Sequence, residues 1–244
     1  MRFTIVTIFP DISNSYINES LFKRAQKNKI IEIHSCDVRK FSANPHKKVD
    51  DKAFGGGPGM VMQIEPIYRA VQAIKSKVKG QKSKVRVILF STRGKKLDAR
   101  MAKRFSKYDE LILICGRYEG VDERAATYVA DEEVSIGNYV LFGGEVASMV
   151  VIEAVSRLIP RVVQKEESIK NESFSDKEAK EKEHPQYTRP EVFEPKVKSL
   201  KTKARKWKVP KVLLSGNHKK IAAWRNQASL APKRREEWRR RNTE

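Results

Sequence analysis

Two short, nearly unbroken apolar runs, Val85-Arg86-Val87-Ile88-Leu89-Phe90 and Glu110-Leu111-Ile112-Leu113-Ile114-Cys115, constrain this chain more than any other feature. A run of that length without polar alternation is a strand buried on both faces, which antiparallel sheets rarely contain. Between the two runs, residues Leu97 to Tyr108 carry apolar side chains at helical spacing. Strand, helix and strand in that order make a crossover unit, so the two strands are parallel and a helix covers one face. The rhythm extends upstream. Phe3 to Phe9 is a strand, Ser15 to Asn28 a helix with Tyr16, Leu21, Phe22 and Ala25 on one side, and Ile30 to Cys36 a second alternating strand. Pro66 to Lys79 is a helix presenting Ile67, Ala70, Val71 and Ile74. Glu145 to Ile159 is a long apolar helix that stops before Pro160. Residues 1–160 are therefore expected to form one α/β domain, a parallel sheet layered by helices.

Past Pro160 the composition changes. Residues 161–184 form an expected linker, since Gln164 to Glu183 is polar and charged with Ile169 and Phe174 almost its only large apolar side chains. Such a stretch buries too little to stay ordered alone, and disorder is expected there. Residues 185–244 form a basic domain holding all three tryptophans, with helices expected over His218 to Gln227 and Lys233 to Arg241. The net charge of +21 is concentrated here: residues 196–244 carry 17 Lys/Arg and 3 Asp/Glu. A polyanion is the partner that such a charge distribution attracts, through phosphate neutralisation and counterion release. No apolar run approaches the ~20 residues that span a bilayer. The first strand is not followed by a small-residue cleavage site, so no signal peptide is expected. Cys36 and Cys115 each sit in an apolar segment away from other ligand residues, which predicts two reduced, buried thiols in a cytoplasmic protein and no zinc site.

The glycines mark candidate chemistry. Asp50-Asp51-Lys52-Ala53-Phe54-Gly55-Gly56-Gly57-Pro58-Gly59-Met60 is dense enough in glycine for a backbone to approach a flat ligand. It lacks the Gly-Lys-Ser/Thr of a phosphate-binding loop, and Met60 occupies the third glycine position of a dinucleotide loop. An ordinary tight connection is the competing reading. Ser91-Thr92-Arg93-Gly94 and Gly116-Arg117-Tyr118-Glu119-Gly120 follow the two buried strands, and Ser135 to Gly144 adds three more glycines before the long helix. Loops at the carboxyl edge of a parallel sheet are where such folds bind ligands. Three of them together point to a nucleotide-like ligand held largely by backbone.

With these motifs in hand, the chain resembles the bacterial tRNA (guanine-N1)-methyltransferase family, TrmD. The resemblance rests on Val49-Asp50-Asp51 with Gly55 to Met60, on Cys115 to Arg124, on Ser135 to Glu145, on Gln186-Tyr187-Thr188-Arg189-Pro190-Glu191, and on Leu213 to His218 with Trp224-Arg225. It runs from Phe3 to about Leu230. It implies a SPOUT fold whose parallel sheet carries a deep trefoil knot, an obligate homodimer with active sites shared between subunits, and a small helical C-terminal domain that grips tRNA. It also implies transfer of a methyl group from S-adenosylmethionine to the guanosine immediately 3′ of the anticodon. On this resemblance Ser91, Thr92 and Gly94 in the first loop, and Gly116, Arg117, Tyr118 and Glu119 in the second, hold the cofactor. Ser135, Ile136, Gly137, Tyr139, Leu141, Gly143 and Gly144 do so in the third. Asp50, Gly59, Tyr187, Arg189, His218, Trp224 and Arg225 face the tRNA.

Guanine N1 carries a proton near neutral pH, so methylation there needs a base. The family places an aspartate before a Ser-Phe pair; here Glu172 precedes Ser173-Phe174, and Asp176 is a rival close behind. Arg157 matches the family's catalytic arginine, although a helix-capping role is the competing reading. Glu119 and Glu183 match acids near which Mg2+ could assist. The chain departs from the family at Glu172, Glu183, Ala147 and Gln186, in a longer lysine-rich connection between Glu194 and Pro210, and in a short arginine-rich tail. Two other readings stay open at this level: an RNA-binding protein that kept the fold without catalysis, and a SPOUT methyltransferase acting on another RNA.

Overall fold

A computed structural model describes residues 1–78, 83–163, 184–194 and 206–228. The chain divides into two units, Met1–Glu166 and Glu167–Glu244. In chain order the first contains β1 (Arg2–Thr7), α1 (Asn14–Ile17), α2 (Ser20–Lys27), β2 (Glu32–Asp37), β3 (Asp50–Asp51), β4 (Val61–Met62) and α3 (Ile64–Lys75). There follow β5 (Val85–Lys96), α4 (Ala99–Phe105), β6 (Glu110–Ile114), α5 (Glu123–Tyr128), β7 (Glu132–Ser135) and α6 (Glu145–Ser156). Five strands form one sheet in the order β2-β1-β6-β5-β7, and every neighbouring pair is parallel.

The unbroken apolar run of β6 is explained by what lies on each side. Leu111 and Leu113 enter a core shared with α2, α4 and α6, while Ile112 and Ile114 enter a second core shared with α3 and α5. All four are fully buried, and each contributes about 1.5–3 kcal/mol by leaving water. A polar residue at any of them would face a core, because successive side chains alternate between the two layers. The first core also takes in Val162, whose carbonyl accepts a 3.2 Å hydrogen bond from Arg24 Nη2. The packed unit thus runs past the expected boundary at residue 160.

Several elements differ from the sequence reading. The helix expected over 15–28 is two helices, because the Asn18 side chain donates to the Asn14 carbonyl at 2.8 Å and Ser20 takes φ +50°. Short polar side chains that bond their own backbone compete with helix continuation. α3 begins at Ile64, which places Pro66 in the first turn, where its missing N–H costs nothing. β5 does not end at Phe90. It pairs with β7 at Ile88–Phe90, shifts register, and pairs again at Lys95–Lys96. Residues 91–94 are the excursion between those two stretches. β7 and α5 escaped the sequence reading because Asp131, Glu132 and Glu133 mask the strand's apolar character. Glu132 is accommodated by Arg86 at 2.8 Å and Arg104 at 2.7 Å. Cys115 is buried as expected, but Cys36 is only partly so.

The second unit contains β8 (Val192–Phe193) and β9 (Trp207–Lys208), an antiparallel pair, followed by α7 (Lys211–Leu214) and α8 (His218–Ala228). The two-stranded ribbon was not anticipated. Residues 164–183, including the expected linker's Glu172, Asp176 and Glu183, and the helix expected over Lys233 to Arg241 lie outside the described residues.

Candidate functional site

Because β6, β5 and β7 are adjacent and parallel, the loops that leave their carboxyl ends emerge side by side. Together they line a cleft of about 530 Å³, within the ~300–1,000 Å³ typical of small-ligand sites. Ser91 and Thr92 come from the β5 excursion, Gly116 to Val121 from the loop after β6, and Ser135 to Gly137 with Tyr139 to Gly144 from the loop entering α6.

Two glycines make this close assembly of loops sterically feasible. A Cβ on Gly94 would lie 2.5 Å from Val134 N and 2.6 Å from Val134 C, so the backbone of β7 passes directly against it. Gly94 therefore does not line the cleft; it lets β7 come close enough to form it. A Cβ on Gly144 would lie 2.7 Å from Cys115 Cα, and the Gly144 amide donates to the Gly116 carbonyl at 3.0 Å. That contact fastens the third loop to the second at the start of α6. Ser135 Oγ donates to the Gly137 carbonyl at 3.0 Å, and Tyr139 Oη donates to the Ile136 carbonyl at 3.1 Å. Tyr118, half-exposed in the second loop, takes φ +59°, an unfavourable region for a bulky residue that recurs at functional sites.

A buried clamp holds Arg117. Glu145, the first residue of α6, is 2 % exposed. One of its oxygens accepts from Thr7 Oγ1 at 2.6 Å, and the other lies 2.9 Å from Arg117 Nε. The latter contact is an ion pair bent away from hydrogen-bond alignment. Arg117 Nη1 donates to the Phe142 carbonyl at 3.4 Å, and the guanidinium lies 4.9 Å over the Phe9 ring. Gly143 leaves the space that Arg117 occupies, since a Cβ there would collide with its Nε and Cδ. A cation fixed in this way can meet a ligand carboxylate without first paying its own ordering entropy. The thiol of Cys115 behind the loop is pushed well above its ordinary range by burial, and the Glu145 carboxylate adds to the effect.

The rest of the wall is acidic. Glu119, Glu123 and Glu133 line the cleft together with Arg93. Arg93 Nη2 pairs with Glu123 at 2.6 Å but lies 3.9 Å from Glu133, whose Oε2 is buried with no hydrogen-bond partner among the described residues. An orphan carboxylate oxygen in a cleft wall is costly unless a ligand donor meets it. Glu123, Glu133, Arg93 and Phe142 were not singled out from the sequence. Neither were Thr7 and Phe9, the remote ends of the clamp; an isolated threonine at a strand end carries no local signal.

The other expected site residues fall elsewhere. Asp50 pairs with Met62 in the β3–β4 ribbon. Gly59 sits against Glu119, its missing Cβ leaving room 2.5 Å from Glu119 Cγ, and the Glu119 amide donates to the Met60 carbonyl at 3.0 Å. The glycine-dense loop is thereby tied to the cleft's second loop. Arg157 is the exposed C-terminal cap of α6. A helix of 12 residues puts it about 18 Å from the end that enters the cleft. Tyr187, Arg189, His218, Trp224 and Arg225 belong to the second unit. There the Tyr187 and Trp224 rings lie 6.1 Å apart, and His184 lies 6.5 Å from Trp224. Among the described residues, no group of three or more His, Cys, Asp or Glu could hold a metal ion, and no helix is long and apolar enough to cross a membrane.

Comparison with known proteins gives a consistent result. A family model described as tRNA (Guanine-1)-methyltransferase TrmD matches residues 1–242. The chain is 46% identical over 230 residues to the tRNA (guanine-N(1)-)-methyltransferase of Ruminiclostridium cellulolyticum, covering 94% of this chain and 91% of that protein. It is 45% identical over 230 residues to the protein of the same name from Clostridioides difficile, covering 94% and 93% of the two chains. The protein so named from Endomicrobium trichonymphae is 43% identical over 234 residues, again covering 94% of each.

Proposed function

Since the chain belongs to the tRNA (guanine-1)-methyltransferase family, we propose that it methylates N1 of the guanosine immediately 3′ of the tRNA anticodon, with S-adenosylmethionine held in the cleft of the first unit. The observation that carries this reading is the cleft itself, built by three loops whose glycines permit backbone-to-backbone contact. Its residues fit such a cofactor. Peptide groups of the loop from Ser135 to Gly144 suit an adenine edge, Arg117 suits the amino-acid carboxylate, and the orphan oxygen of Glu133 suits a hydroxyl or ammonium donor. When bound, S-adenosylmethionine supplies a methyl group on a sulfonium, which departs as a neutral thioether.

The chain's own residues supply the rest. Glu172 takes the N1 proton, freeing the nitrogen lone pair to form the new N–C bond. The negative charge that grows toward guanine O6 is met by the Arg157 guanidinium. Arg157 lies about 18 Å from the cleft end of its own α6, which supports its acting on the cleft of a second copy. An apolar strip favours that arrangement: Val146 and Val150 on α6, with Phe9, Ile12 and Tyr16 beside them, are 39–49 % exposed. Tyr16 reaches the same helix, donating to Glu153 at 2.5 Å. A two-fold axis across this strip sets two α6 helices antiparallel, the N-terminus of each beside the C-terminus of the other. The homodimer, a deep trefoil knot into which the C-terminal portion of the first unit is threaded, and a tRNA-gripping second unit that takes in Tyr187, Arg189, His218, Trp224 and Arg225 complete the reading. Asp50 and Gly59 are assigned to the target base, a reading supported by the contact of Gly59 with Glu119 of the second loop. The cytoplasm is the compartment such a substrate implies. No step runs through a metal ion.

The test uses labelled S-adenosylmethionine and tRNA transcripts with guanine or adenine 3′ of the anticodon, the preceding base also varied. Methylation confined to guanine preceded by guanine is expected. Binding without methyl transfer returns the chain to an RNA-binding role. Glu172→Gln should abolish transfer while cofactor binding persists, and near-normal turnover would show that another group takes the proton.

A further inference from the structure

The second unit carries an aromatic pair that the family reading leaves unused. Phe193 and Trp207 face each other directly across the β8–β9 ribbon, with ring centroids 5.5 Å apart and planes at 39°. Phe193 is 48 % and Trp207 62 % exposed within the described residues. Exposure of this kind marks a surface that something else covers. The rings of Tyr187 and Trp224 form a separate cluster with His184, with centroids 6.1–6.5 Å apart; Tyr187 is itself 43 % exposed.

The surroundings identify the occupant. Lys206 and Lys208 flank Trp207 in the chain and Lys211 opens the helix that follows; all three are exposed, and Lys206 pairs with Glu194 at 2.5 Å. In sequence, the chain joining the two strands, residues 195–205, adds five cations and no acid. An apolar protein partner would strip water from these cations without pairing them, and an acidic one would not require flat aromatic faces. Aromatic rings interleaved with cations are the surface that single-stranded nucleic acid takes: bases stack on the rings and phosphates meet the lysines.

We propose that Phe193 and Trp207 form a stacking platform for an unpaired nucleotide of RNA, with Lys206, Lys208 and Lys211 neutralising the flanking phosphates. The inference rests on the tRNA reading above and deepens it, by assigning the ribbon to a looped-out or loop nucleotide and not to a duplex. The cross-strand aromatic contact also stabilises the ribbon itself, so the substitutions must separate the two roles.

The experiment measures binding of the full-length protein to a labelled oligouridylate and to an RNA duplex of matched phosphate count, by fluorescence anisotropy at one salt concentration. Trp207→Ala should weaken oligouridylate binding about tenfold, the scale of one lost base–aromatic stack. Duplex binding should stay within about twofold. Trp207→Phe keeps both a ring and the cross-strand contact, and should restore most of the affinity. Phe193→Ala should weaken oligouridylate binding in the same direction. Equal loss on oligouridylate and duplex would overturn the proposal in favour of general electrostatic attraction. A change in sedimentation mass on Trp207→Ala would overturn it in favour of a second copy of the chain covering the pair. Methyl transfer to tRNA is scored in parallel. Activity with Trp207-independent oligouridylate binding removes the platform alone, whereas Trp207-dependent binding without any methyl transfer removes the enzymatic reading and leaves the platform standing.

Discussion

Replacing Glu145 with alanine should cost the first unit about 3–4 kcal/mol and loosen the cleft at the same time. Glu145 is 2 % exposed and joins Thr7 on β1 to Arg117 in the second loop. Removing one member of a buried ion pair typically costs ~3–5 kcal/mol, because the remaining charge is left without its partner. The Arg117 side chain is 19% exposed, so water reaches part of the guanidinium and the low end of that range applies. The orphaned Thr7 hydroxyl adds about 1 kcal/mol. For a unit of this size each kcal/mol moves the midpoint by ~2–4 °C, so a fall of roughly 10 °C is expected. Thermal unfolding at one fixed protein concentration, with Arg117→Ala and the double variant alongside, supplies the assay. Coupling between positions 117 and 145 should exceed about 1 kcal/mol, and calorimetric affinity for S-adenosylmethionine should drop in Glu145→Ala. Glu145→Gln keeps the shape and an acceptor for Thr7, so it should lose only about half as much stability. A midpoint shift under about 2 °C for Glu145→Ala, or strict additivity with Arg117→Ala, would refute the clamp.

Other expectations follow from the same geometry. Gly94→Ala places a methyl group against the backbone of Val134; since a strand and not a flexible side chain must move, both stability and cofactor binding should fall, measured by unfolding and calorimetry. Cys115 should resist alkylation at neutral pH in the folded protein, because burial and then Glu145 hold its thiol protonated. Cys36 should react slowly, its thiol raised by burial and by Asp37; mass spectrometry after timed iodoacetamide treatment distinguishes the two. Burial alone would raise the Glu132 carboxyl, but hydrogen bonds from Arg104 and Arg86 hold it below 4.5. A depressed carboxylate contributes stability that is present above its unfolded value and lost as pH falls through the folded one. Glu132→Gln should therefore destabilise the protein at neutral pH and flatten its stability loss below about pH 4.5 in acid titrations of unfolding.

Much of this was legible in the chain because it depends on local repetition. The apolar runs of β5 and β6 mark strands with a core on each side. Glycines after those strands mark loops that must come close to something, and the cations past residue 195 announce an anionic partner. What remained hidden depends on residues far apart in sequence. β7 offers too few apolar positions to be recognised alone, and becomes a strand only because β5 pairs with it twice and Arg86 and Arg104 neutralise Glu132. Thr7 and Glu145 are 138 positions apart, and neither shows any sign of the other. Arg157 is matched to a catalytic arginine by resemblance alone, with helix capping as the competing reading. The length of α6 sets it about 18 Å from the helix end that enters the cleft. The sequence alone determined the elements with a strong apolar period, β1, β2, β5, β6, α3, α4 and α6, and the glycine loops between them, since those follow from periodicity and backbone freedom. The tertiary structure decided which loop glycine lines the cleft and which merely admits a strand, and which carboxylate holds Arg117, because chain crossings and buried charge pairs exist only once distant segments have packed.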